Sequence, residues 1–167
     1  MRIAILGAEC TGKTQLAQQL VAQLQLDFPS VVCETGTLLL SAVYADVLRG
    51  DTSLYPSAIE QHRAFGLTLL TGMDMPVPPE GALRNDPALR SRIDQRLRRV
   101  LTESRISFCT VYGSGSARTA QAHQAIRRAN GVVPESNGTP WKWNCEKCSD
   151  AECEHRLFST LLGQSAV

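Results

Sequence analysis

Short apolar runs alternate along the chain with longer segments whose apolar positions recur every three to four residues. Four runs are too short for helices and are predicted to be strands: 2–6, 31–34, 65–71 and 106–112. The longer segments are predicted to be helices: 13–25, 37–49, a shorter piece ending near 64, 86–104 and 117–129. Strands that alternate with helices indicate an α/β fold, here a small parallel sheet of about four strands flanked by helices.

Two helix boundaries are marked by residues with strong positional preferences. Gly50 follows the second predicted helix and suits a C-terminal cap, because glycine adopts the left-handed conformation without steric cost. Asp86 and Pro87 suit the start of the fourth helix, since aspartate caps free N–H groups and proline is tolerated at the first helical position. The segment from Gly72 to Pro87 contains four prolines and is predicted to be a surface loop.

The character of the chain changes after Gly131. Residues 132–167 combine proline, asparagine and glycine with both tryptophans and three clustered cysteines. We therefore predict a first domain, 1–131, and a C-terminal appendage, 132–167, that holds a metal knuckle and a short helix.

Charge and hydropathy narrow the range of partners. Lys and Arg number 17 against 16 Asp and Glu, a net charge of +1, so the chain as a whole has no electrostatic footprint for nucleic acid or an acidic membrane. No apolar stretch reaches a membrane-spanning length, and the amino-terminal segment meets Glu9 and Lys13 without a signal-peptide cleavage site. The expected location is the cytoplasm, with no membrane contact.

The strongest chemical signal is an uninterrupted G-x-x-x-x-G-K-[ST] run between a predicted strand and a predicted helix. In such a loop, backbone N–H groups point at phosphate oxygens, and the helix N-terminus adds a favourable dipole. Lys13 is expected to reach the outer phosphates, and the Thr14 hydroxyl to join a Mg²⁺ shell. The motif predicts ATP or GTP binding by the following residues: Gly7, Glu9, Cys10, Thr11, Gly12, Lys13 and Thr14.

Two acidic residues follow predicted strands. Glu34 ends the second strand, where a carboxylate facing the nucleotide could hold Mg²⁺ or accept a proton from a substrate hydroxyl. Asp74 follows the third strand closely and could project into the same crevice. The alternatives are a solvated strand end for Glu34 and a turn-stabilising aspartate for Asp74.

Arginines are concentrated between residues 84 and 105: this segment contains seven arginines and three acidic residues. Arg84 and Arg90 lie in the proline-containing loop and in the first turn of the next helix. Guanidinium groups at these positions could close over phosphates, as kinase lids do. The alternative is a basic helix face exposed to water.

The appendage contains four potential zinc ligands within eleven residues: Cys145, Cys148, Cys153 and His155. The Cys-x-x-Cys pair suits one knuckle of a closed tetrahedral site, but the single-residue gap before His155 is uncommon, so an outside ligand could replace the histidine. Structural Zn²⁺ is favoured over free thiols. From 135 to 156 five acidic residues oppose three basic ones, which disfavours nucleic-acid binding.

An ordered set of segments resembles the P-loop ATPase and kinase family related to the nicotinamide riboside kinase domain of the bacterial NAD-biosynthesis regulator. The matching segments are Gly7–Thr14, Glu34-Thr35 with Tyr44 and Gly50-Asp51, Leu69-Leu70-Thr71 with Asp74-Met75-Pro76, Gly81–Asp86 and Val111-Tyr112-Gly113. The Cys-rich tail is similar to one carried by some bacterial members. The resemblance implies a P-loop NTPase fold over residues 1–131.

The same resemblance implies roles outside the phosphate loop. Glu34 would share Mg²⁺ with Thr14, and Asp74 would approach a hydroxyl of a small riboside or nucleoside substrate. Arg84 and Arg90 would close over the transferring phosphoryl group of ATP. These assignments make Asp74, Glu34, Arg84 and Arg90 the predicted catalytic residues.

The sequence also departs from the family. Members usually have, after the first helix, a second strand that ends in a Pro-Glu-Tyr-type motif with a long helical segment behind it, whereas this chain passes almost at once from Leu26 to Val31. Glu34 replaces an aspartate, and Val77 replaces a tryptophan. Two hypotheses stay open: an ATP-dependent small-molecule kinase or ATPase, and a catalytically impaired nucleotide-sensing protein that presents its zinc tail to a partner. The missing strand favours the second, because its carboxylate helps position the substrate hydroxyl.

Overall fold

The computed structural model describes residues 1–27, 30–75 and 86–132. The chain divides into two units, Met1–Val133 and Pro134–Val167, and all described residues lie in the first. Several predictions fall outside the described residues, namely those for Arg84 and for the tail ligands Cys145, Cys148, Cys153 and His155.

Strands and helices alternate through the described residues. In chain order they are β1 (Arg2–Leu6), α1 (Lys13–Asp27), β2 (Val32–Glu34), α2 (Leu38–Arg49), α3 (Tyr55–His62), β3 (Leu67–Thr71), α4 (Pro87–Glu103), β4 (Cys109–Val111) and α5 (Gly115–Ala129). Among these helices, none combines the length and the apolar character needed to cross a membrane.

The four strands form one parallel sheet in the order β2-β1-β3-β4. Ala4 of β1 pairs with Glu34 of β2 and with Thr68 of β3, so β1 is an interior strand. The predicted α/β fold with a small parallel sheet flanked by helices is confirmed. From β1 the chain moves to one side, into β2, and then crosses to β3 on the other side. Ligands of open parallel sheets bind outside the carboxyl ends of the strands at such a switch point.

Both faces of the sheet are covered by helices. On one face Leu6 and Leu70 pack with buried residues of α2, α3 and α4, such as Leu39 and Leu97. On the other face the interior-strand residues pack against α1 and α5, for example through Leu20. The strands are therefore apolar on both sides, which explains why their sequences read as continuous apolar runs.

Helix caps follow the residues that predicted them. Gly50 has φ +69° and forms the C-terminal cap of α2. The Asp86 carboxylate accepts a hydrogen bond from the Ala88 N–H at 2.8 Å, and Pro87 is the first residue of α4. These local preferences place both helix ends within a residue of the prediction.

The fourth strand is shorter than predicted, covering Cys109–Val111 instead of 106–112. Arg105 has φ +54°, and the Ile106 N–H donates to the Leu101 carbonyl at 2.9 Å. Ile106 therefore completes the end of α4 before the strand begins. Helix α5 starts at Gly115 instead of 117, since Ser114 occupies the N-cap position.

Candidate functional site

Two glycines determine the backbone conformation of the loop between β1 and α1. Gly7 and Gly12 have φ values of +153° and +70°, and Cys10 between them has φ +54°. A Cβ atom on Gly7 would lie 2.0 Å from Oγ1 of Thr71, and one on Gly12 would lie 2.8 Å from Sδ of Met75. Substitution at either glycine would therefore meet both steric overlap and backbone strain.

Two buried threonine hydroxyls contact backbone carbonyls at the start of this loop. The Thr11 hydroxyl lies 2.8 Å from the Ala8 carbonyl and 2.7 Å from the Thr71 hydroxyl. Thr71 also donates to the Leu6 carbonyl at 3.0 Å, and neither threonine is exposed. The hydroxyl pair joins the start of the loop to the end of β3.

Lys13 folds back over the loop that precedes it. Its Nζ donates to the Ala8 carbonyl at 2.6 Å. Burial lowers the pKa of Lys13, and the neighbouring Glu9 carboxylate partly offsets this effect. A phosphate oxygen placed over the loop would offer this half-buried ammonium a charged acceptor in place of a neutral carbonyl, which is the stronger interaction.

Helices α2 and α4 bring two further side chains to the rim of the loop. Arg90 Nε donates to the Glu9 carbonyl at 3.0 Å, while its Nη2 is buried and has no partner among the described residues. Burial and the Glu9 charge raise the pKa of Tyr44 to about 12, although a hydrogen bond from the Glu9 backbone opposes the rise. Arg90 therefore lies against the loop between β1 and α1, whereas its predicted closure over phosphates stays a prediction.

Residues that follow β3 and β4 also lie around the loop between β1 and α1. The Asp74 carboxylate accepts a hydrogen bond from the Gly113 N–H, which follows β4. Arg118 of α5 donates through Nη2 to the Thr11 carbonyl at 2.8 Å and through Nη1 to the Gly113 carbonyl at 3.4 Å. The Arg118 Nε is buried and has no partner in the described part of the chain.

Glu34 lies apart from this cluster. It pairs with Ala4, two residues before β1 ends, and its carboxylate oxygens accept bonds from Nε and Nη2 of Arg2 at 2.8 and 3.1 Å. The hydrogen bond from Arg2 lowers the pKa of Glu34. The structure thus gives Glu34 an ion-pair partner at the other end of β1 instead of a place beside Lys13.

The structure brings together most, but not all, of the side chains predicted for the site. The loop residues 7–14, Arg90 and Asp74 converge at the carboxyl ends of β1, β3 and β4, whereas Glu34 does not. Sequence reasoning missed Thr71 and Arg118. The one sequence signal for Arg118 is a basic residue in the first turn of a helix, where the helix dipole disfavours a cation.

In the described residues, no group of three or more His, Cys, Asp or Glu side chains is arranged to hold a metal ion. The predicted zinc ligands lie outside these residues, so zinc binding stays a prediction. Neither a protein-family model nor a curated protein sequence matches the chain. The family resemblance therefore also stays a prediction, and the geometry of the loop carries the functional argument.

Proposed function

We propose that this chain is a P-loop NTPase-fold protein that binds ATP on the loop between β1 and α1. The observation that carries the proposal is the loop itself, which joins a buried interior strand to a helix N-terminus at the switch point of a parallel sheet. Its two glycines with positive φ allow the backbone to approach a ligand closely, and the start of α1 offers N–H groups and a positive dipole to phosphate.

The charges around the loop also support a polyphosphate ligand. Lys13, Arg90 and Arg118 all donate to carbonyl groups of the loop, at Ala8, Glu9 and Thr11 respectively. Arg90 Nη2 and Arg118 Nε are buried donors without a partner in the described residues. Buried donors are ordinarily paired, so their presence at the loop favours an anionic ligand that supplies acceptors or compensating charge.

Thr14 is the loop residue that fits a Mg²⁺ ion accompanying the nucleotide. It lies in the first turn of α1 and is exposed, so its hydroxyl is accessible. When bound, Mg²⁺ neutralises charge on the phosphate oxygens. Glu34 fits this role poorly, because Arg2 already holds both of its oxygens.

A nucleotide-binding protein with impaired phosphoryl transfer is the better supported of the two open hypotheses. Both carboxylates predicted to face a substrate are engaged elsewhere, Asp74 with the Gly113 N–H and Glu34 with Arg2. A general base must reach the substrate hydroxyl: Arg2 engages both oxygens of Glu34, and the Gly113 N–H holds the Asp74 carboxylate beside the residues that follow β4. ATP binding with slow or undetectable transfer to a riboside is the expected behaviour.

Titration calorimetry with Mg-ATP tests the binding step. Lys13→Ala should weaken affinity about tenfold or more, since a charge-assisted phosphate contact is lost. Arg127→Ala, an exposed substitution in α5, is the control and should bind as the unmodified protein does. Equal affinity of Lys13→Ala and the unmodified protein, or no binding of Mg-ATP at millimolar concentration, would contradict the proposal.

A second assay tests the chemical step. The protein is incubated with Mg-ATP and a panel of ribosides, and phosphorylated product and ADP are separated by chromatography. Ordinary kinases turn over at about 1–100 s⁻¹. A turnover of several per second would therefore support the kinase hypothesis and overturn the proposed impairment.

A further inference from the structure

Arg118 is a buried cation at an electrostatically unfavourable position. The residue is 3% exposed and is the fourth residue of α5, close to the positive end of the helix dipole. The ion pairs of the described residues join other side chains, so within that part of the chain no carboxylate lies within salt-bridge distance of the guanidinium. Burial of a cation without a paired anion is costly, and burial lowers the pKa of Arg118.

The negative charge of Asp74 compensates only part of the cost of burying Arg118. The Asp74 carboxylate partly offsets the effect of burial on the pKa of Arg118. The Asp74 carboxylate, however, accepts its hydrogen bond from the Gly113 N–H and not from the guanidinium. Arg118 itself contacts two neutral carbonyls and leaves Nε unpaired among the described residues. Among the described residues, the positive charge of Arg118 is therefore only partly balanced.

The contact with Thr11 also fixes the direction of a loop peptide. Arg118 Nη2 lies 2.8 Å from the Thr11 carbonyl. Because a peptide group is planar and trans, its carbonyl and the following N–H point to opposite sides. The Thr11 carbonyl points at Arg118, so the Gly12 N–H is directed away from this guanidinium.

We propose that Arg118 is a positioning and charge-supplying residue of the phosphate site. It orients the Thr11–Gly12 peptide and holds a buried positive charge that the phosphates of a bound nucleotide balance. The inference rests on the proposed ATP-binding function and deepens it, since it makes the ligand class a polyphosphate whose affinity rises with its negative charge. A triphosphate should gain more from Arg118 than a monophosphate does.

A purely structural role for Arg118 makes a different prediction. If the side chain only joined α5 to the loop, Arg118→Gln, which keeps an amide donor, and Arg118→Lys, which keeps the charge, would have similar effects. If its charge acts on the ligand, Arg118→Lys should retain much more affinity than Arg118→Gln. The ratio of ATP to AMP affinity should fall only when the charge is removed.

The experiment measures binding of Mg-ATP, AMP and inorganic tripolyphosphate to the full chain by calorimetry. Arg118→Gln should weaken Mg-ATP and tripolyphosphate binding by about tenfold and reduce the ATP to AMP affinity ratio, whereas Arg118→Lys should weaken binding less and leave the ratio unchanged. Arg127→Gln, exposed on the same helix, is the matched control and should change neither quantity. Equal affinity and an equal ratio for Arg118→Gln and the unmodified protein would overturn the inference.

A second variant gives an effect of opposite sign and serves if Arg118→Gln does not fold. Asp74→Asn keeps an oxygen acceptor for the Gly113 N–H but removes the negative charge that partly balances Arg118. It should tighten tripolyphosphate binding by a few fold, and unchanged or weaker binding would overturn the inference. If the unmodified protein binds neither Mg-ATP nor tripolyphosphate, the proposed function itself fails, which separates the two failures.

Discussion

The Thr11 and Thr71 hydroxyls beside the β1–α1 loop lead to a specific stability prediction. Two protons, those of Thr11 and Thr71, serve three contacts: with the Leu6 carbonyl, with the Ala8 carbonyl and between the two hydroxyls. Each hydroxyl has one proton to donate, so at most two of the three contacts are hydrogen bonds at any moment, while each hydroxyl oxygen can also accept. Thr71→Val removes one proton and one acceptor while keeping the shape of the side chain.

The expected loss follows from burial. Both threonines are fully buried, so water cannot replace the missing partner. An unsatisfied buried polar group costs about 1–3 kcal/mol, and we expect the free energy of unfolding to fall by that amount. For a protein of this size each kcal/mol lowers the melting temperature by about 2–4 °C.

Urea unfolding followed by circular dichroism measures this loss. Thr71→Ser is the control, because it keeps the hydroxyl and removes one methyl group, which costs about 1 kcal/mol. A double-mutant cycle with Thr11→Val should show coupling, since the two hydroxyls share a hydrogen bond. A Thr71→Val protein as stable as the unmodified one, or Thr11 and Thr71 effects that simply add, would refute the reasoning.

Two further predictions concern pH and metal. Burial lowers the pKa of His62, whose Nε2 lies 2.9 Å from Oγ1 of Thr68. The unfolded chain therefore takes up the proton first as pH falls, and stability should decrease below about pH 6.5. His62→Gln should flatten this decrease in urea titrations between about pH 5 and 7, and the same slope in both proteins would contradict the assignment. In the tail, Cys148→Ser should abolish stoichiometric zinc in elemental analysis and, like a chelator, increase proteolysis after Gly131; a zinc content below about a tenth of an equivalent in the unmodified protein would indicate free thiols.

Much of the fold could be predicted because its signals are local. The runs that form β1 and β3 are apolar and short, and the caps at Gly50 and Asp86 follow from the preferences of those residues alone. The errors lie where a backbone contact decided the boundary, as at Ile106, whose N–H bonds to the end of α4. Such a bond depends on the left-handed conformation of Arg105, which periodicity does not encode.

The candidate site divides in the same way. The loop motif and Lys13 are contiguous, so their residue types and spacing alone predict a turn between strand and helix. The position of Glu34 at the end of a strand predicts a place beside the nucleotide, but the register pairs it with Ala4, and Arg2 binds its carboxylate. An ion pair across neighbouring strands depends on which strands are neighbours, which the sequence pattern leaves undetermined.

The sequence by itself therefore determined the alternation of strands and helices, the capped helix ends and the phosphate-loop motif. Only the tertiary structure decided what surrounds that loop. Thr71 reaches Thr11 across 60 positions, and Arg118 reaches it across 107. The strand order β2-β1-β3-β4 creates both contacts, because it places the ends of β3 and β4 on the side of β1 where the loop begins. Local propensities act over a few residues, whereas this order is fixed by how apolar faces from the whole domain pack together.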